Sequence, residues 1–281
     1  MMYIRTDLVA ITYCNLIERT LFYGDVFGFG VCHRQTTSEQ GVHNTLLSSS
    51  LPPVPKLEHH VFVPAHYQPR GGDWTLETVL AYPLAMLVTS GETSEAIPWI
   101  THLPVIPHPG HTATELGGAL LVGHMNAANP HWRAVCRERR STLVFTGPQG
   151  YVSPTLYGVP VAAPTWNFVS VHAHGTLHPL ATSNDALQVV CWTVEALERR
   201  HGFGWTSTDS LTYFRKILPG VRAFEFLVDS VDGMYKLSQE QQPDIRKRVI
   251  EYFSTNGSGS CAELSALMKN LVEGTTTHDH R

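Results

Sequence analysis

From Ser141 to Asn184 the chain carries no Asp, Glu, Lys or Arg, the longest such stretch in its 281 residues, and this limits the folds open to it. An uncharged run of this length is either a membrane span or the buried centre of a sheet. Pro148, Pro154, Pro160 and Pro164 fall inside it. None fits a helix interior, so the run breaks into short strands joined by turns. In Val169-Ser170-Val171-His172-Ala173-His174 the residue types alternate. Alternation puts the valines on one face of a strand and the histidines on the other. One face packs, and the other looks onto something polar.

The neighbouring segments read as companions to that strand. Short strands are expected at Leu84–Thr89, Ile97–Ile106, Ala119–Val122, Leu143–Phe145, Gly150–Val152, Trp166–Leu177 and Pro219–Val228. Trp74–Ala81 reads as a short helix, and another starts after Asn129 and Pro130, which suit a cap and a first turn. One long helix spans Asn184–His201, with Leu187, Val190, Cys191, Val194 and Leu197 at helical spacing, Ser183 or Asn184 as its cap and Gly202 as its stop. Shorter helices follow at Ser210–Ile217, Pro243–Phe253 and Ala262–Leu271. Many short strands with few helices between them make a mainly β (α+β) chain, a closed or half-closed barrel with peripheral helices.

From Arg34 to His60 the composition turns to Ser, Thr, Gly, Gln and Pro, which reads as a linker. Residues 1–60 are therefore expected to form a poorly ordered N-terminal extension, 61–253 the barrel domain, and 254–281 a linker with a short helix. Val61 is an alternative start if its codon is GTG.

At 43% hydrophobic and 16% charged residues the chain suits a soluble globular protein. Its net charge of −4 gives no basic field. The clusters Arg137–Arg140 and Arg246–Arg248 read as solvated helix faces, so no nucleic-acid partner is expected. Five cysteines, odd in number and without a CxxC pair, argue for reduced thiols in a cytoplasm. Arg5, Asp7, Glu18, Arg19 and Asp25 interrupt the apolar patches of the first 30 residues, so neither a signal peptide nor a membrane partner is expected.

Several residues are candidates for chemistry. His124, in Gly123-His124-Met125-Asn126, sits at a strand end, as a turn histidine bonded to backbone or as an axial ligand to haem iron. His172 and His174 share a strand face, as a hydrogen-bonded pair in a pocket wall or as metal donors. Trp166-Asn167 is a core tryptophan with a turn asparagine, or a wall that stacks on a flat cofactor. Lys236, before Leu237-Ser238-Gln239, is a surface lysine or a cation on a cofactor rim. His108 and His111 lie in a Pro/Gly loop and read as exposed. No GxGxxG, P-loop, GxSxG or HExxH is present.

Five ordered blocks carry a further signal: THLPV (101–105), GHMNAANPHW (123–132), VFTGPQGYVSPTLY (144–157), PTWNFVSVHAHG (164–175) and KLSQEQ (236–241). In these the chain resembles the PaiB-like branch of the FMN-binding split-barrel superfamily. Through APTWNFVSVH, SLTYFRKILPG (210–220) and DGMYKLSQEQQPDIRKRV (232–249) it is more similar to the haem-dependent piperazate synthases. The resemblance implies a cytoplasmic homodimeric split β-barrel with haem b, or FMN as the alternative, in a cleft between subunits. It implies N5-hydroxy-L-ornithine as substrate and dehydrative cyclisation to L-piperazate. It also implies His124 as axial ligand, with His102 second, and roles for Asn126, Trp166, His172, Lys236 and Gln239. The alternatives are a PaiB-like FMN-binding regulator and a flavin oxidoreductase.

Overall fold

The computed structural model describes residues 61–71, 73–93, 96–159, 161–256 and 259–276. The expectation for residues 1–60 lies outside the described residues. Six strands close into one antiparallel barrel among them: β1 (Leu84–Thr89), β2 (Trp99–Pro107), β3 (Leu120–Asn126), β4 (Arg140–Val152), β5 (Thr165–Pro179) and β6 (Val221–Lys236). The order around the barrel is β1-β2-β3-β6-β5-β4. The uncharged stretch supplies most of β4 and all of β5, which pair with each other along most of their length. The separate strands expected at Leu143–Phe145 and Gly150–Val152 are one strand, bent by a bulge between Thr146 and Gln149. Gly147 and Pro148 occupy the bulge, where a proline without an N–H does least harm.

Alternation decides the faces. Ala85, Leu87, Leu103, Val105, Leu143, Phe145, Val169, Val171 and Ala173 point inward and are buried in one cluster with Phe224, Phe226 and Tyr235. Each large side chain so buried contributes about 1.5–3 kcal/mol. The valines and histidines of β5 therefore do lie on opposite faces. The register aligns an outward row across five strands: His102 pairs with Met86, Met86 with Val144, Val144 with His172, and His172 with Asp232.

Helices cover parts of this shell. The longest, Ser183–His201, begins one residue before its expected start and is capped by Thr182, whose side chain accepts from the Asp185 amide while Asp185 returns the bond. That reciprocal capping box outcompetes Ser183 or Asn184 as cap. Its Ala186 and Val189 pack on Ile106, Val122 and Ala223, the outer side of β2, β3 and β6. The strand expected to end at Val228 runs on to Lys236 through Asp229-Ser230-Val231-Asp232-Gly233, because pairing with β5 holds it despite its polar sequence. Near the C-terminus Pro243–Asn256 and Ser260–Thr276 form two helices. Arg248, expected on a solvated face, instead donates to the carbonyls of Leu156 and Tyr157.

The last helix is built into the core: Leu264 and Met268 are fully buried in the same cluster as the barrel valines. Leu264→Ala should therefore lower the free energy of unfolding by about 2–5 kcal/mol. Urea denaturation would check this; a change within error would mean the helix is detachable.

Candidate functional site

The shortest seam of the barrel is ended by one side chain. β2 and β3 pair only at Val105–Gly123, Ile106–Val122 and Pro107–Leu121. The next position would set Pro104 against His124, and proline has no amide hydrogen to give. Beyond that point His124, Met125 and Asn126 are held from the other side alone, by Ala223, Arg222 and Val221 of β6. GHMN thus lies within β3 rather than after a strand, and its outer half borders a split. Gly123 permits this packing, since a Cβ there would meet the Phe224 ring at 2.7 Å.

A groove of about 400 Å³ follows the split, lined by Thr101, His102, Pro104, His124, Asn126 and Asn129 among others. His124 is half-buried, and its Nδ1 is buried with no hydrogen-bond partner. Buried polar atoms are rarely left so, and among the described residues only the Arg246 Nε shares this state, so the His124 Nδ1 has bonding capacity that the protein itself does not use. Burial pushes the His124 imidazole below its ordinary value of 6.5, so the ring is neutral at physiological pH. A neutral imidazole offers a lone pair to a metal and no charge to an anion. No Lys or Arg lines the groove. The lining thus offers one neutral imidazole donor, that of His124, as the residue that could hold a metal-bearing cofactor.

A polar chain runs from the groove into the barrel end. Asn129 Nδ2 donates to Thr101 Oγ1 (3.0 Å), and Thr101 Oγ1 bonds His131 Nδ1 (2.8 Å). His131 Nε2 bonds Thr89 Oγ1 (2.9 Å), which bonds Ser141 Oγ (2.8 Å). His131 is 1% exposed, and burial depresses its pKa. Sequence reasoning missed His131, Thr89 and Ser141. Nothing in NPHW distinguishes a first-turn histidine that faces a strand 42 residues earlier from a solvated one.

The other candidate residues lie elsewhere. His102, exposed, shares the groove and the outward row. His172 sits three strands along that row, roughly 14 Å away at about 4.8 Å per strand. Its Nε2 bonds Ser170 Oγ (2.9 Å), and burial, then the His174 charge, lowers its pKa against the pull of Asp232. His174 is buried between Thr142 and Asp232, at 2.9 and 3.0 Å. No three His, Cys, Asp or Glu side chains come together as a metal site among the described residues.

Trp166, Asn167, Lys236 and Gln239 gather where β5 begins and β6 ends. Trp166 is 48% exposed and donates to Gln149, while Lys236 Nζ donates to Thr165 Oγ1. Asn167 is fully buried and its amide bonds Ser238, the one non-glycine residue with positive φ among those described. Gln239 accepts from the Leu237 amide and donates to the Tyr235 carbonyl. Asn167 and Gln239 thus brace a strained turn. His108 is not open surface either: it stacks edge-on against Trp192.

An antiparallel barrel split between two strands and flanked by helices is a split barrel of the flavin-binding type. Residues 61–230 match the family described as "Putative FMN-binding domain", and the chain belongs to that family. It is similar to the protease synthase and sporulation protein PAI 2 of Bacillus subtilis, at 23% identity over 213 residues covering 76% of this chain and 99% of that one. A protein of Emericella nidulans, AN0679, is 26% identical over 66% of this chain and 84% of its own length. Among solved structures, the FAD and heme binding protein of Mycobacterium smegmatis aligns with a TM-score of 0.45 and 16% identity over 64% of this chain and 78% of that one. No helix among the described residues is long and apolar enough to cross a membrane.

The depressed histidines set a pH dependence. His124, His131 and His172 stay neutral when folded, whereas their unfolded forms take up protons near the ordinary 6.5. The unfolded state then binds more protons, so stability is complete above that pH and falls as pH drops below it. The urea midpoint should fall as pH is lowered through 6.5, and the fall should be shallower in His172→Gln. An identical fall in the variant would remove His172 from the account.

Proposed function

We propose that this chain is an enzyme that holds haem b through His124 and converts N5-hydroxy-L-ornithine to L-piperazate, as a cytoplasmic homodimer. The observation that carries this is the neutral His124 ring, with its orphaned Nδ1, in a groove without cations. Family membership supports a cofactor site in this barrel, and the blocks around Trp166, Ser210 and Asp232 support the piperazate synthase branch. Three described cysteines are free thiols, in keeping with a reducing compartment.

Bound haem supplies an electrophilic iron for the substrate's hydroxylamine. The reaction needs no outside oxidant or reductant. The α-amine nitrogen bonds to N5, the N–O bond breaks with its electron pair leaving on oxygen, and a proton lost by the α-nitrogen completes water. The chain's part is to present His124 from β3 and to line the groove with the polar side chains of Thr101, His102, Asn126 and Asn129.

The dimer in this reading rests on the outer face of β1, β2, β4 and β5, which no helix among the described residues covers. Leu84 (61% exposed) and Ile100 (55%) share it with half-buried Met86, Val88, Val144 and Phe168. A contiguous apolar face of this kind marks an association surface. A second copy laid across it also gathers Trp166, His172 and Lys236, which do not meet His124 within one chain.

A PaiB-like FMN-binding regulator is the second reading, favoured by the family's description and by the Bacillus relative. The absorption spectrum of purified protein separates the two: a Soret band supports the enzyme, and flavin bands support the regulator. His124→Ala should lower haem affinity at least about tenfold, the lower end of the loss for even an outer-shell partner, and abolish piperazate formation. Wild-type spectrum and turnover in that variant would refute the ligand assignment. Met86→Lys should yield monomers by light scattering, and a persistent dimer would move the interface elsewhere.

A further inference from the structure

We propose that Thr101 is a hydrogen-bond donor to the departing oxygen and that His131 is the positioning residue that makes it one. This rests on the cyclase reading for its chemistry, but its geometry stands apart from it. The Asn129 amide is fixed because its Oδ1 accepts from the His131 backbone N–H at 3.0 Å, so the group facing Thr101 is the Nδ2 donor. Thr101 Oγ1 has two lone pairs and one hydrogen. What that hydrogen does depends on His131.

The chain Thr101–His131–Thr89–Ser141 can be polarised in two directions. In one, Thr101 donates to Nδ1, Nε2–H donates to Thr89, and Thr89 donates to Ser141. The spare hydrogen then falls on the Ser141 hydroxyl, which is 8% exposed and has no other partner among the described residues. In the other, Ser141 donates to Thr89, Thr89 donates to Nε2, and Nδ1–H donates to Thr101. Thr101 now accepts twice, from Asn129 and His131, and its own hydrogen is free at the groove. A stranded donor in the barrel costs more than one at the groove, where solvent or substrate meets it. The second direction is therefore the native one.

A preorganised donor aimed at developing negative charge is a large source of catalysis. As N–O breaks, the oxygen leaves with the electron pair, and the Thr101 hydroxyl stabilises it until the proton from the α-nitrogen arrives. Thr101 keeps its own proton throughout, so the polar chain never carries a net charge into the barrel.

Thr101→Val should lower kcat about 100-fold with KM and haem content little changed, and Thr101→Ser should recover most of that loss. His131→Phe should lower kcat in the Thr101 background and add nothing to Thr101→Val, because it acts only through Thr101. Wild-type kcat in Thr101→Val, or a further loss in the double variant, would overturn the assignment. An independent readout is the imidazole nitrogen spectrum of 15N-histidine-labelled wild type, with or without haem: Nδ1–H at His131 is expected, and Nε2–H refutes the proposal. If wild type leaves N5-hydroxy-L-ornithine untouched, the cyclase reading fails, while the tautomer still decides whether Thr101 is presented as a donor.

Discussion

Pro104 has no amide hydrogen, and it stands at the register position opposite His124. The groove beside His124 depends on that missing donor. Had the ladder continued, His124 would be one more outward side chain with a paired strand on either side. With the ladder stopped, the far half of β3 is anchored only to β6, and a groove lies where a strand pair would have been. Gly123 and Phe224 make the arrangement rigid, because the ring fills the space beneath the glycine. The split is a substitution of one kind of interaction for another. A row of backbone hydrogen bonds is given up, and an apolar wedge holds the edge in place.

The electrostatics of the groove follow from its burial. A carboxylate or an ammonium there would face a large desolvation cost, whereas an imidazole escapes it by staying neutral. His131 behaves in the same way one layer deeper, where all its polar atoms are satisfied. The two buried rings differ in one respect that matters for function. His131 is bonded on both ring nitrogens and has no capacity left for a ligand, while His124 has an unspent Nδ1. Unspent bonding capacity, rather than residue type, separates a candidate ligand from a structural histidine.

Much of the fold was legible because it rests on patterns of short range. Alternation in VSVHAH gave the two faces of β5, and the prolines between Ser141 and Asn184 excluded a helix. The second half of β6 was hidden, since Asp229-Ser230-Val231-Asp232-Gly233 reads as a turn when its pairing partner 58 residues earlier is unknown. The cap at Thr182 depended on a bond from Asp185 that spacing alone left level with its neighbours. For the site, His124 could be singled out as a candidate. Its lack of a partner could not, because a missing hydrogen bond is a property of packing.

The motif blocks mix two kinds of residue, and the structure sorts them. In KLSQEQ, Ser238 and Gln239 close a turn against Asn167 of PTWNF, so these two matching blocks report one structural contact. That contact holds the end of the barrel and says which fold the chain adopts. In THLPV and GHMNAANPHW, by contrast, Pro104, His124, Thr101, Asn129 and His131 meet at the split. A family can keep the first set for stability while chemistry is decided by the second, since activity resides in the site and not in the fold. Likeness in KLSQ therefore argues for the barrel, and likeness in GHMN is what bears on the cofactor. The two lines of inference are physically separate, and the neutral, unpartnered imidazole belongs to the second.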